Sequence, residues 1–142
     1  WQTSDLENFT ALVKKLIAQY SALEALPGLF LNGTFNLGEN IGDLGGVYAA
    51  FDGLMLHYKE HGKPDKIDGY TAEQRFFMSW ATIWRSKMRE EALRNQIKTG
   101  PHPPGNFRAY VPLQNLEEFY KAFDIKEGDT LYLKPSERVL IW

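Results

Sequence analysis

The chain has 142 residues, a hydrophobic fraction of 44%, an aromatic fraction of 14% and a formal net charge of −2. This is one domain's worth of chain with enough apolar side chain for a folded core, which excludes a disordered protein. The near-neutral charge excludes a nucleic-acid binder with a broad basic face, and no apolar run is long enough for a transmembrane helix. Because cysteine is absent, neither a disulfide scaffold nor a cysteine-ligated zinc site is available.

The two ends of the chain predict how it is organised. It begins at Trp1 instead of Met, and no basic or apolar leader follows. We therefore expect a piece of a longer protein, folded as one compact unit over residues 1–142 and truncated at its N-terminal side. The apolar C-terminal segment, Arg138–Trp142, favours a packed end over a frayed one.

The spacing of apolar residues predicts a mainly α chain with about five helices and little strand. The predicted helices cover, in chain order, about residues 5–23, 37–61, 71–87, 89–98 and 115–123. Capping-box patterns mark two helix starts, with Ser4 and Thr71 as the N-caps. Asn32-Gly33 marks a hairpin or a turn. The prolines within 101–104 exclude regular helix in that segment.

The start of the second predicted helix is rich in glycine. Four glycines fall within nine positions, namely Gly38, Gly42, Gly45 and Gly46. Each interior glycine costs a helix about 1 kcal/mol relative to alanine. Close approach of another backbone is the usual compensation, so we expect another segment to pack against these glycines.

Glu39 and Asp43 are four residues apart on this glycine-rich helix, so both carboxylates lie on one face. One interpretation is a solvated face whose acidic residues are favoured by the helix dipole. The other is a metal ligand beside a carboxylate that orients a ligating histidine. His57 and His61 have the same spacing and can bind zinc together. No third ligand is near them in sequence, so an exposed cationic helix end is the favoured interpretation.

His102 and Arg108 belong to a segment that begins with a run of prolines, which restricts their freedom. A rigid loop that presents an imidazole and a guanidinium suits stabilisation of a developing oxyanion and clamping of a carbonyl. A structural loop whose His and Arg cap backbone carbonyls explains the pattern equally well. By contrast, the aromatic face that contains Trp80 and Trp84 is more typical of a core than of a pocket.

Segment 32–46 reads Asn-Gly-Thr-Phe-Asn-Leu-Gly-Glu-Asn-Ile-Gly-Asp-Leu-Gly-Gly and resembles the signature of the neprilysin family of zinc metalloendopeptidases. That family includes the bacterial PepO-type oligopeptidases. Three further stretches agree in order and spacing, namely 74–89, 102–108 and 118–142. The resemblance covers nearly the whole chain. It implies the C-terminal helical part of a thermolysin-like (gluzincin) metallopeptidase catalytic domain.

The resemblance implies a role for several residues. Glu39 matches the third zinc ligand, and Asp43 matches the carboxylate that orients a zinc-binding histidine. His102 matches the imidazole that stabilises the tetrahedral transition state. Arg108 matches the arginine that binds a backbone carbonyl of the substrate.

The residues Ile83 and Trp84 match positions that form the pocket for the substrate residue after the scissile bond. In the family, this pocket favours large apolar side chains. The resemblance thus implies cleavage of oligopeptides on the amino side of large apolar residues.

Several parts of the family pattern are missing from these residues. They are the His-Glu-x-x-His helix with two zinc ligands and the general base, the substrate-binding Asn-Ala motif and the large helical lobe. We therefore expect the intact enzyme to hold one Zn²⁺, and this chain alone to hold it weakly and to be inactive. The animal enzymes have cysteines here, so their absence favours a bacterial protein. Separately, we expect a periplasmic or secreted location rather than a cytoplasmic one.

The expected partners are peptide substrates and the missing N-terminal part of the same protein, and not nucleic acid. Apolar surface left where that part docks would also favour self-association. The alternative is a non-catalytic helical interaction module derived from the family. The presence of all four candidate site side chains argues against the alternative, since a scaffold has no physical need for them. They are Glu39, Asp43, His102 and Arg108.

Overall fold

A computed structural model describes residues 1–141 of the chain. In this range it contains six α-helices, which are α1 (Thr3–Ser21), α2 (Leu37–His61), α3 (Ala72–Ile83), α4 (Glu90–Thr99), α5 (Gly105–Tyr110) and α6 (Glu117–Phe123). Strands β1 (Glu24–Leu26) and β2 (Leu29–Phe30) form an antiparallel pair. Two short 3₁₀ helices cover Leu113–Asn115 and Pro135–Glu137. The mainly helical prediction is confirmed, with one helix more than the five expected.

Two local predictions near the N-terminus are corrected by the structure. The N-cap of α1 is Gln2, not Ser4, and the Asp5 carboxylate accepts a hydrogen bond from the Gln2 backbone N–H at 3.0 Å. The hairpin turns at Pro27-Gly28, where Gly28 has a φ of +73° that suits glycine. Asn32-Gly33 instead begins the turn that leads into α2.

The predicted helix start at Thr71 is confirmed. The Thr71 hydroxyl accepts from the Gln74 N–H at 3.2 Å, and the Gln74 amide oxygen accepts from the Thr71 N–H at 2.9 Å. Helix α3 ends at Ile83, before the predicted 87. The additional helix, α5, follows directly after the prolines, because a proline at the N-cap removes no hydrogen bond from the helix.

The core lies where α3 packs against α5 and α6, with α1 and α2 alongside. Phe77 is at its centre, stacked on Phe51 at 5.2 Å between ring centroids and edge-on to Phe119 at 5.4 Å. The C-terminal segment is packed as predicted at Val139 and partly buried at Ile141, whereas Leu140 is 50% exposed; Trp142 lies outside the described residues. Val139 is buried, and its N–H donates to the Asn115 side chain at 2.8 Å. None of the helices within residues 1–141 has the length and apolar character needed to cross a membrane.

The glycines of α2 lie in the open. A Cβ atom added at Gly38, Gly42 or Gly46 would meet no other atom within 4 Å. A shallow groove runs along this side of the helix, with Ile41 and Tyr48 among its lining residues. The close backbone partner expected from the sequence is therefore not supplied by residues 1–141.

Candidate metal and substrate site

The candidate site begins at the N-terminal end of α2, where Glu39 meets His102. The Nε2 atom of His102 lies 2.7 Å from a carboxylate oxygen of Glu39. The two side chains remain accessible, with 47% of His102 and 41% of Glu39 exposed. The structure thus brings together two residues that the sequence analysis placed in one site.

Hydrogen bonds on two sides hold the proline-rich loop that carries His102. The Asn36 side-chain amide donates to the Pro101 carbonyl at 2.8 Å, which ties the loop to the start of α2. The Gln96 side chain of α4 donates to the His102 carbonyl at 3.3 Å. Because Pro103 is also fully buried, the loop presents the imidazole from a fixed backbone.

One turn further along α2, Asp43 forms a bidentate ion pair with Arg108. The Nε and Nη2 atoms of Arg108 each donate to a different oxygen of Asp43, both at 2.7 Å. Only 9% of the Asp43 side chain and 16% of the Arg108 side chain are exposed. The hydrogen bonding that Arg108 donates to Asp43 is the main reason that the pKa of Arg108 is raised above its ordinary value. The sequence analysis gave these residues separate roles and did not predict the pair.

Two tryptophans also contact Arg108, namely Trp80 of α3 and Trp84, the residue that follows α3. The Trp84 ring lies 3.9 Å from the guanidinium carbon, which is cation–π contact. The Trp80 indole N–H donates to the Arg108 carbonyl at 3.1 Å. Trp80 packs against the hydrophobic core, as expected. Trp84 is only partly buried and contacts Arg108 instead, so for Trp84 the core expectation is corrected. Sequence periodicity carried no signal for this contact between distant segments.

The predicted pocket residues lie at the end of α3. Ile83 is 66% exposed, and Trp84 presents its ring to Arg108. A Cβ atom added at Gly105 would lie 2.7 Å from the Trp84 carbonyl oxygen. Only glycine therefore allows α5, which carries Arg108, to approach the end of α3 this closely.

A buried tyrosine lies behind the ion pair. Tyr20 of α1 is fully buried. Burial is the main reason that the pKa of its hydroxyl is raised, and the nearby Asp43 charge raises it further. The hydroxyl has no hydrogen-bond partner among residues 1–141. Helical spacing puts Tyr20 on the apolar face of α1 and carries no signal of the ion pair near it.

The structure does not bring His57 and His61 to this site. They lie at the other end of α2, and the 1.5 Å rise per residue places His57 about 27 Å and His61 about 33 Å from Glu39 along the helix. Within residues 1–141, no three or more His, Cys, Asp or Glu side chains are grouped closely enough to hold a metal ion. Glu39 and its neighbours therefore provide at most part of a zinc site.

Solved structures place the fold among the zinc metalloproteases. The crystal structure of the Mycobacterium tuberculosis zinc metalloprotease ZMP1 in complex with an inhibitor is 40% identical with a TM-score of 0.95, over 100% of this chain and 22% of that chain. The crystal structure of PepO from Lactobacillus rhamnosis HN001 is 30% identical with a TM-score of 0.80, over 98% of this chain and 20% of that chain. The predicted fold class is confirmed.

The profile described as peptidase family M13 matches residues 1–139, and the chain belongs to that family. It is 37% identical to the neutral endopeptidase of Lactococcus lactis over 142 residues, which is all of this chain and 21% of that protein. It is 33% identical to human neprilysin over 146 positions, covering all of this chain and 19% of that protein. The family resemblance is thereby confirmed, and the chain spans about a fifth of the length of the curated relatives it matches.

Proposed function

We propose that this chain is the part of a zinc-dependent endopeptidase that supplies one metal ligand and the groups that contact the substrate. The observation that carries the proposal is the arrangement at the start of α2. Glu39 and Asp43 lie one helical turn apart, and each is paired with a residue of the same segment, His102 and Arg108. Both pairs join regions that are distant in sequence, which favours a built site over a solvated acidic face.

Glu39 is the candidate zinc ligand. His102 contacts one of its oxygens, so the second oxygen is available to a metal. Asp43 accepts from Arg108 through both oxygens, yet each oxygen keeps another lone pair that can orient a ligating histidine. When bound, zinc would polarise the peptide carbonyl and lower the pKa of a water molecule. Catalytic zinc sites use three protein ligands, so the other two must come from elsewhere in the protein.

His102 is the candidate oxyanion donor. The proline-rich loop fixes its backbone, and its exposed ring points an imidazole nitrogen at the Glu39 carboxylate. The same nitrogen, carrying a proton, would donate to the oxygen on which negative charge develops during attack on a peptide carbonyl. A donor whose position is fixed in advance stabilises such a charge without reorganisation.

Arg108 is the candidate group for binding a substrate carbonyl. Asp43 uses Nε and Nη2, which leaves Nη1 to donate outward. Trp84 stacks on the guanidinium, and the exposed Ile83 precedes Trp84 in the chain. The apolar surface next to the fixed guanidinium would accept a large apolar side chain of the substrate. The guanidinium would hold the adjacent main chain of the substrate. This arrangement supports cleavage on the amino side of large apolar residues.

The uncovered glycines of α2 are the candidate docking surface for the rest of the protein. Glycines allow another backbone to come close, and these lie on the helix that carries Glu39. A helix that packs here would be placed to contribute the remaining ligands. Without that segment, we expect the chain to hold zinc weakly and to cleave no peptide.

The substitution Glu39→Gln in the intact protein tests the proposal. We expect loss of peptidase activity and at least about 100-fold weaker zinc binding. Removing a direct zinc ligand should weaken zinc affinity at least as much as removing a residue that hydrogen-bonds to such a ligand. Glu7→Gln is the matched control, since Glu7 is an exposed glutamate of α1 and should change neither property. Unchanged zinc content and activity in the Glu39 variant would refute the assignment.

A further inference from the structure

The two histidines at the C-terminal end of α2 have a geometry that the proposed peptidase site does not use. The imidazole rings of His57 and His61 lie 4.4 Å apart between centroids, with an angle of 19° between their planes. Both residues are exposed. Two parallel rings one helical turn apart present their edges in the same direction, toward solvent.

A backbone hydrogen bond fixes the tautomer of His61. Its Nδ1 atom lies 3.1 Å from the His57 carbonyl oxygen. A carbonyl oxygen only accepts, so Nδ1 must carry the proton, and the lone pair is left on Nε2. Metal-binding histidines almost always donate their other ring N–H in this way, to a backbone carbonyl or a carboxylate.

The surroundings favour a cation. The C-terminal end of a helix carries partial negative charge from its last carbonyl groups, and α2 ends at His61. The Glu60 carboxylate lies 4.0 Å from the same Nδ1 atom, which adds negative charge next to the ring. Because both rings are exposed, water molecules can complete the coordination of a bound ion.

We propose that His57 and His61 form a surface site for a borderline divalent cation such as Zn²⁺, held by Nε2 of His61 and one ring nitrogen of His57. Tetrahedral zinc with Zn–N bonds of about 2.05 Å places two ligand nitrogens about 3.4 Å apart. Because the two ring planes differ by only 19°, one of the exposed rings must rotate about its side-chain torsions so that both in-plane lone pairs point at the same ion. Imidazole suits Zn²⁺, Cu²⁺ and Ni²⁺ and not Mg²⁺ or Ca²⁺. This site is independent of Glu39 and of the proposed peptidase function.

The test is a zinc titration of the chain followed by long-range ¹H–¹⁵N NMR of its histidine side chains. The chain has three histidines, so each imidazole gives separately resolvable signals. We expect zinc to shift Nε2 of His61 and one nitrogen of His57 together, with one common midpoint. Replacing either residue with asparagine should weaken the response of the other by at least about tenfold, since the chelate is lost.

Three variants locate the bound zinc and separate this proposal from the peptidase site. His102→Asn should leave the joint response of the pair unchanged, and so should Glu39→Gln. The double variant His57→Asn with His61→Asn should abolish it, and circular dichroism should show unchanged helix content because both residues are exposed. The proposal is overturned if the two rings titrate with different midpoints, if neither responds, or if the His102 and Glu39 variants abolish the response.

Discussion

Replacing Asp43 with alanine is the most direct test of how the candidate site is held together. In the folded chain, both oxygens of this carboxylate accept from Arg108 at 2.7 Å. Removing the carboxylate leaves a guanidinium that is only 16% exposed without its counter-charge. The cost is then mainly the uncompensated charge, and not the lost attraction alone.

The magnitude follows from the burial of the pair. Truncating one partner of a buried ion pair costs about 3–5 kcal/mol. Because the Arg108 side chain keeps some exposure and its cation–π contact with Trp84, we expect the lower end, about 3 kcal/mol. The double variant Asp43→Leu with Arg108→Met should be more stable than Asp43→Ala, since it leaves no buried charge unpaired.

Urea unfolding of the chain, followed by tryptophan fluorescence, measures these differences in the free energy of unfolding. The matched control is Asp52→Ala, an exposed aspartate on the same helix, which should change the free energy by less than about 0.5 kcal/mol. If Asp43→Ala costs no more than this control, the ion pair does not hold the site. If the double variant is less stable than Asp43→Ala, the cost of Asp43→Ala does not come from the unpaired charge of Arg108.

Three further predictions concern the same region. Trp80→Phe keeps an aromatic side chain but removes the hydrogen bond to the Arg108 carbonyl. It should lower the free energy of unfolding, measured in urea, by about 1 kcal/mol. A change near zero would show that the hydrogen bond does not stabilise the fold. Gly105→Ala places a Cβ atom 2.7 Å from the Trp84 carbonyl oxygen, so it should cost about 1–3 kcal/mol by overpacking. An unchanged stability in urea unfolding would contradict the close approach. The chain alone should not hydrolyse an internally quenched peptide, whereas cleavage that a chelator blocks would mean that these residues suffice for catalysis.

The elements that could be predicted from the sequence are those with strong local signals. Helix α2 has the predicted bounds, and Gly62, with a positive φ that favours glycine, follows its end at His61. The capping box at Thr71 was found because it depends on residues three apart. Asn32-Gly33 predicted a hairpin or a turn and lies at the turn before α2, whereas the hairpin itself turns at Pro27-Gly28, which carried no such prediction. Helix α5 is too short to show periodicity, and prolines precede it.

The same distinction applies to the candidate site. The common face of Glu39 and Asp43 follows from helix geometry alone. Their pairing with His102 and Arg108 depends on how a distant loop packs, and no local pattern encodes it. The family resemblance named all four residues, but it did not predict that Asp43 and Arg108 bind each other.

The glycines of α2 are the clearest conflict between local rules and the observed fold. Four glycines weaken this helix by about 4 kcal/mol relative to alanine, and at Gly38, Gly42 and Gly46 a side chain would meet nothing within residues 1–141. Steric need inside the chain therefore does not explain them. Natural sequences break such local rules mainly where function requires it. Helix α2 carries a candidate metal ligand, and its backbone is uncovered beside that ligand. Both features fit a shared metal site, in which another segment packs onto the glycines and brings the remaining ligands.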